Sequence, residues 1–160
     1  PAQPMRVDWL AWASMLIRRE VIDAIGALDA GYYTYFDDID YCLNAARAGW
    51  PTWYIPESRV VHLAGQSTGV TDAAQRAKRR PSYWFEARRR FWLKNHGNFG
   101  AALADAAFIL GLATKRLVLL VTCKPDHSPD GMLGDAIRHS VFRTGFAMRD
   151  VRNPALHNDV

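Results

Sequence analysis

Four aspartates fall between positions 29 and 40, within the stretch G-A-L-D-A-G-Y-Y-T-Y-F-D-D-I-D-Y that runs from Gly26 to Tyr41. Tyr32, Tyr33, Tyr35 and Phe36 lie between Asp29 and the cluster Asp37, Asp38 and Asp40. A carboxylate placed among rings loses hydration. That is costly unless a cation, a hydrogen-bond donor or a transferable proton compensates. Such groups can serve as general bases, as metal ligands or as braces of a loop. On a helix, Asp38 and Asp40 lie about 160° apart at 100° per residue. Both cannot aim at one substrate atom, so one is the working carboxylate and the others cap or brace. A second reading stays open from spacing alone: all three simply furnish an acidic first turn, which the helix dipole favours.

Other residues could join this chemistry. His62, in V-V-H-L-A, is the nitrogen donor nearest in sequence to the aspartates should they hold a metal, and it is equally readable as a core histidine. Arg76, Lys78, Arg79, Arg80, Arg88, Arg89, Arg90 and Lys94 form a basic belt. Arg88 and Lys94 could meet phosphate oxygens, Arg by forking onto two of them, or the belt is a solvated helix face. Trp9, Trp12 and Trp50 could stack on a sugar or pack in a core.

These residues must be positioned by elements that the sequence also marks. The apolar run 7–18 reads as a buried strand, and 20–25 as a short helix stopped by Gly26. An aromatic loop spans 28–36. Asp37 is the expected N-cap of a helix that ends before Gly49. Strands are expected at 52–55 and 60–63, with a polar turn at 65–70. Residues 82–95 read as an amphipathic helix, and 99–121 as a long apolar one with Asp105 and Arg116 about 20° apart on a polar side. Its charges argue against a membrane span and for a buried or interfacial helix. A last helix is expected over 131–148.

The chain has 160 residues, 49% hydrophobic and 22% charged, with a net charge of +4. That describes one globular unit able to bury a core and argues against wholesale disorder. The modest positive charge suits an anionic ligand or a membrane surface. It is weak for nucleic acid, and no such binding signature is present. Two cysteines, Cys42 and Cys123, form neither a zinc pattern nor a disulfide framework, so a reduced, cytoplasmic setting is the default. The sequence opens P-A-Q-P-M without a leader pattern and reads as a piece of a longer protein.

In order, the chain carries A-S-M-L-I-R-R from Ala13, G-A-L-D-A from Gly26, Y-F-D-D-I-D-Y-C-L-N from Tyr35, A-G-W from Ala48, Pro56, and H-L-A-G-Q-S from His62. This set resembles the second half of family 2 glycosyltransferases of the GT-A fold, above all rhamnosyltransferase- and galactofuranosyltransferase-like enzymes of bacterial cell-envelope glycan synthesis. The match covers about residues 7–97. The implied fold class is α/β (α+β as an isolated piece), with a few strands, several helices and a helical tail. Residues 1–97 would form the acceptor-side half of the transferase domain, and 98–160 the tail.

The resemblance implies transfer with inversion from a nucleotide-diphosphate sugar to a glycan or glycolipid acceptor. Asp38 would be the general base, with Asp37 and Asp40 as supporting acids. His62 would help hold a divalent metal, Mg or Mn, and Arg88 would touch phosphate or brace the fold. Trp12, Ser14, Asp29 and Trp50 would border the substrate. Departures touch substrate identity: Trp12 stands where the family usually has Gly, Ala30 where it has Glu, Leu28 where it has Phe, and Asn44 where it has Arg. The only D-x-D here, Asp38-Ile39-Asp40, belongs to the base motif. The donor-binding half with the metal-binding D-x-D is not matched, so this piece is expected to be inactive alone. It is also expected to self-associate through the strand over 7–18 or the apolar helices, and to sit in the cytoplasm or peripherally on the inner face of the bacterial plasma membrane. The alternative is a noncatalytic module whose helices over 82–121 dock a partner or a membrane.

Overall fold

The computed structural model describes residues 2–62 and 79–151. It is a mixed α/β arrangement dominated by helices. Strand β1 (Met5–Val7) pairs antiparallel with β2 (Thr52–Tyr54), with Arg6 opposite Trp53. Helix α1 (Arg19–Ile25) and helix α2 (Asp37–Arg47) lie between them in sequence. A long helical run, α3 (Ser82–Val121), follows, and then two short helices, α4 (Met132–Arg138) and α5 (Val141–Thr144).

The expected strand over 7–18 does not form: only Val7 belongs to β1, and residues 8–18 have no strand pairing. Its apolar side chains are used one at a time. Trp12 and Ile17 pack against the cluster of Val21, Tyr41 and Ala45, while Leu16 is 98% exposed. The expected strand over 60–63 is likewise absent in its described part, where Val60, Val61 and His62 are exposed. Leu63 and the expected turn at 65–70 lie outside the described residues, as do Arg76 and Lys78.

Helix α2 begins differently from expectation. Phe36, not Asp37, is the N-cap, and both Tyr35 and Phe36 hold left-handed backbone, with φ of 67° and 64°. Packing of the rings holds this turn. Phe36 lies 5.7 Å from Phe91, and Tyr35 stacks on Tyr83 at 6.0 Å. Asp37 therefore becomes the first helical residue. The far end is the expected stop. Trp50 N–H donates to Ala45 O at 2.9 Å and Gly49 N–H to Ala46 O at 3.0 Å, with Gly49 at φ 87°. This paired closure needs a left-handed residue, which glycine supplies without a Cβ clash.

The two helices expected over 82–95 and 99–121 form one run kinked at Gly97, whose φ of 66° and ψ of −173° suit glycine alone. Arg88, before the kink, bonds Asp105 and the Ala104 carbonyl beyond it. Asp105 also accepts the Val141 N–H at 2.7 Å. Asp105 is thus buried rather than part of a polar side with Arg116, which is exposed. The expected last helix divides into α4 and α5 because Ser140 is extended. Among the described residues no helix is long and apolar enough to cross a membrane.

Two core clusters position the site. Tyr32, Ala87, Phe91 and Val151 bury together with Phe36, Ile39 and Leu43 against them, which fixes α2 on the first arm of α3. Val151 N–H donates to Gly31 O at 2.7 Å, tying the end of the described chain back to the aromatic loop. The cluster of Val21, Tyr41 and Ala45 holds α1 and the 8–18 segment on the opposite side of α2.

Candidate active site

The four aspartates have separate environments. Asp29, in the loop before α2, accepts Arg90 Nη2 at 2.7 Å, Arg90 Nε at 3.2 Å and Lys94 Nζ at 2.8 Å. It also accepts the Gly31 N–H at 2.8 Å. Asp40, on the face of α2 that meets α3, accepts Lys94 Nζ and Asn95 Nδ2, each at 2.6 Å. Asn44, one turn along α2, adds a longer bond at 3.3 Å. Arg90 and Lys94 are four residues apart on α3 and so share one face.

Burial alone would raise the Asp29 pKa, but the bonds from Arg90 and Lys94 outweigh it and hold the carboxyl well below the usual range. Burial likewise opposes the charge of Lys94, and its bonds to Asp29 and Asp40 outweigh that and raise its pKa. The Tyr32 ring lies under both cations, 5.4 Å from the Arg90 guanidinium and 5.8 Å from Lys94 Nζ. Burial, then the charges of Asp40 and Asp29, keep the proton on its hydroxyl. Close approach of Arg90 depends on Gly31, where a Cβ would fall 2.0 Å from the guanidinium carbon.

Asp38 stands outside this network. It is half-buried and raised in pKa, chiefly by burial and further by the charge of Asp37. The Ile39 N–H, donating to Oδ1 at 2.8 Å, and the Trp12 amide oppose that shift. Among the described residues no cation pairs with Asp38. Trp12 packs its ring 5.9 Å from Tyr41, and its buried Nε1 has no described acceptor. The 8–18 segment thus reaches Asp38 through Trp12, while Ser14 is exposed. Trp50 is half-buried beneath Arg18, 5.6 Å from its ring.

The remaining expected residues are placed elsewhere. Arg88 is committed to Asp105, and Phe108 lies 4.5 Å from its guanidinium. Lys94, expected as a phosphate contact, is instead held between two aspartates. His62 is exposed, and among the described residues no three His, Cys, Asp or Glu side chains could hold a metal ion. The described donor set therefore does not fit a divalent cation. A groove of about 760 Å³ lies at the far end of α3, lined by residues including Lys115, Arg116 and Lys124. It is beyond the kink from the aspartates. Sequence reading missed Arg90 and Asn95 as partners of the acids. The i,i+4 spacing of Arg90 and Lys94 on an amphipathic helix was the available signal.

The family model described as "Glycosyltransferase like family 2" matches residues 4–90. The chain belongs to that family. It is 34% identical over 84 residues to N-acetylglucosaminyl-diphospho-decaprenol L-rhamnosyltransferase of Mycobacterium tuberculosis, covering 52% of this chain and 27% of that protein. With rhamnosyltransferase WbbL of Escherichia coli it shares 38% identity over 58 residues, 36% of this chain and 22% of the relative. An uncharacterized protein of Sinorhizobium fredii, y4gI, is 34% identical over 106 residues, 65% of this chain and 11% of its own length. The chain thus spans about a quarter of the length of the rhamnosyltransferases it matches. No solved structure matches it.

Proposed function

We propose that this chain supplies the acceptor side of an inverting glycosyltransferase, with Asp38 as general base. The observation that carries the reading is the division among the acids. Asp29 and Asp40 are neutralised by Arg90 and Lys94, whereas Asp38 is half-buried, raised in pKa and without a cation partner among the described residues. A base works best with its pKa closer to the operating pH, and burial moves Asp38 in that direction. In the proposed reaction the acceptor hydroxyl attacks the anomeric carbon as its proton passes to Asp38. The bond from that carbon to the donor diphosphate breaks, and the diphosphate leaves.

Trp12 reaches Asp38 through its backbone amide. The relatives support a nucleotide-diphosphate sugar as donor, rhamnosyl the first to test, and a lipid-linked glycan as acceptor. The donor diphosphate is not assigned to residues of this chain, and transfer is proposed to need donor-binding elements in addition to those described. The test is sugar transfer by the complete transferase carrying Asp38→Asn. Loss of a general base lowers turnover about 10²–10⁴-fold, with donor affinity unchanged. Turnover equal to the unsubstituted enzyme would refute the assignment, as would transfer by the 160-residue chain alone refute the need for further elements.

A further inference from the structure

The second arm of α3 turns an apolar face away from the core. Leu103, Leu110, Leu117 and Leu120 are 60–70% exposed. Together with Ala106 and Ala113 they recur at intervals of three and four: 103, 106, 110, 113, 117 and 120. That is a heptad seam, with leucine at each first position and alanine, alanine and leucine at the second. The buried residues Ala101 and Asp105 lie on the opposite side, facing Leu93 and Val141. The seam's flank is small: Gly100, Ala107 and Thr114 repeat every seven residues.

Size alternation selects the partner. In a parallel pair, like positions face each other, so leucine layers would alternate with alanine layers and leave gaps. In an antiparallel pair each first position faces a second position. Leu110 then meets Ala113 of the other helix, Leu117 meets Ala106, and Leu103 meets Leu120. Large against small fills each central layer evenly. The small flank lets the backbones approach, and the two Arg116 side chains are kept apart. This register is its own mirror, as a two-fold interface between identical chains requires. A lipid-facing helix needs no such period and carries a lysine- and arginine-rich rim. Here the basic residues of 99–121 are only Lys115 and Arg116, adjacent at one end rather than rimming the face, and Lys115 is tied to Ser128 and Asp126.

We propose that a second copy of this chain packs antiparallel on the outer face of α3 over residues 103–120. The interface is about 26 Å long at 1.5 Å per residue and stands apart from the aspartates. Sedimentation equilibrium of the 160-residue chain is expected to show a dimer, and Leu110→Glu to weaken association at least tenfold with unchanged circular dichroism. Leu16→Glu, at an exposed leucine off the seam, leaves the dimer intact. In a Cys123→Ser background, a mixture of Leu110→Cys and Ala113→Cys chains is expected to oxidise to a cross-linked pair faster than either chain alone. A monomer at all concentrations would overturn the proposal. So would association indifferent to Leu110→Glu, faster cross-linking of either single-cysteine chain alone, or a monomer that binds phosphatidylglycerol vesicles through Leu110.

Discussion

Lys94→Met removes the cation shared by Asp29 and Asp40 while keeping most of the side-chain bulk. The consequence falls on Asp40, whose side chain is only 4% exposed, because Asp29 retains Arg90. Removing one partner of a buried ion pair costs about 3–5 kcal/mol. Two features reduce that here. Lys94 is 28% exposed, and Asn95 still donates to Asp40 at 2.6 Å. The expected loss is about 2 kcal/mol, which for a chain of this size lowers Tm by about 4–8 °C. Thermal and urea unfolding followed by circular dichroism measure it. Asp40→Asn in the same chain should relieve part of the loss, since the stranded charge is gone, giving a coupling of about 1–2 kcal/mol. The pH dependence follows from the shifts. Asp29 is depressed, so its contribution is present above the ordinary carboxylate value of about 3.9 and fades as pH falls below it. Lys94 is raised, so its contribution is present below the ordinary lysine value of about 10.4 and fades as pH rises through the folded value. Lys94→Met should flatten the alkaline limb and leave most of the acid limb. A change under about 0.5 kcal/mol, or strictly additive effects in the double variant, would refute the brace.

Gly31→Ala should displace Arg90 from Asp29, because the new Cβ falls 2.0 Å from the guanidinium carbon. A loss of about 2 kcal/mol in urea unfolding is expected, and a crystal structure with the Arg90–Asp29 bonds intact would contradict it. Gly97→Ala places a side chain at φ 66°, ψ −173° and should cost about 1–3 kcal/mol; an unchanged Tm would count against the kink. For the complete transferase, the acid limb of kcat/KM should lie above the ordinary aspartate value, since Asp38 must be ionised to accept a proton and its pKa is raised. A limb at or below that value would remove Asp38 from the role.

Much of the helical frame was legible in the sequence, because its signals are local. Gly49 and Gly97 mark chain reversals or breaks that only glycine takes easily, and the period of α2 follows from its apolar face. The errors share a cause. Residues 8–18 are apolar without being a strand: Trp12 and Ile17 pack on α2 across distances that periodicity does not report. The entry to α2 shifted by one residue because Tyr35 and Phe36 take left-handed backbone under the packing of Tyr83 and Phe91, a tertiary cause. Asp105 and Arg116, neighbours on a wheel, part company because Arg88 reaches across the kink for one of them.

The candidate site shows the same boundary between local and distant causes. Spacing on α2 could say that Asp38 and Asp40 point apart, and no more. What makes them chemically different lies on α3, more than fifty positions later, where Lys94 and Asn95 bond Asp40, while among the described residues no cation pairs with Asp38. Neutralising Asp29 and Asp40 also limits the negative field felt by Asp38, leaving Asp37 as the nearby acid that lifts its pKa. A helix start would ordinarily depress that carboxyl. Here burial prevails over the Ile39 and Trp12 amides, which oppose the shift. The irregular segment that failed as a strand thus meets α2 at two points, the Trp12 ring against Tyr41 and the Trp12 amide at Asp38.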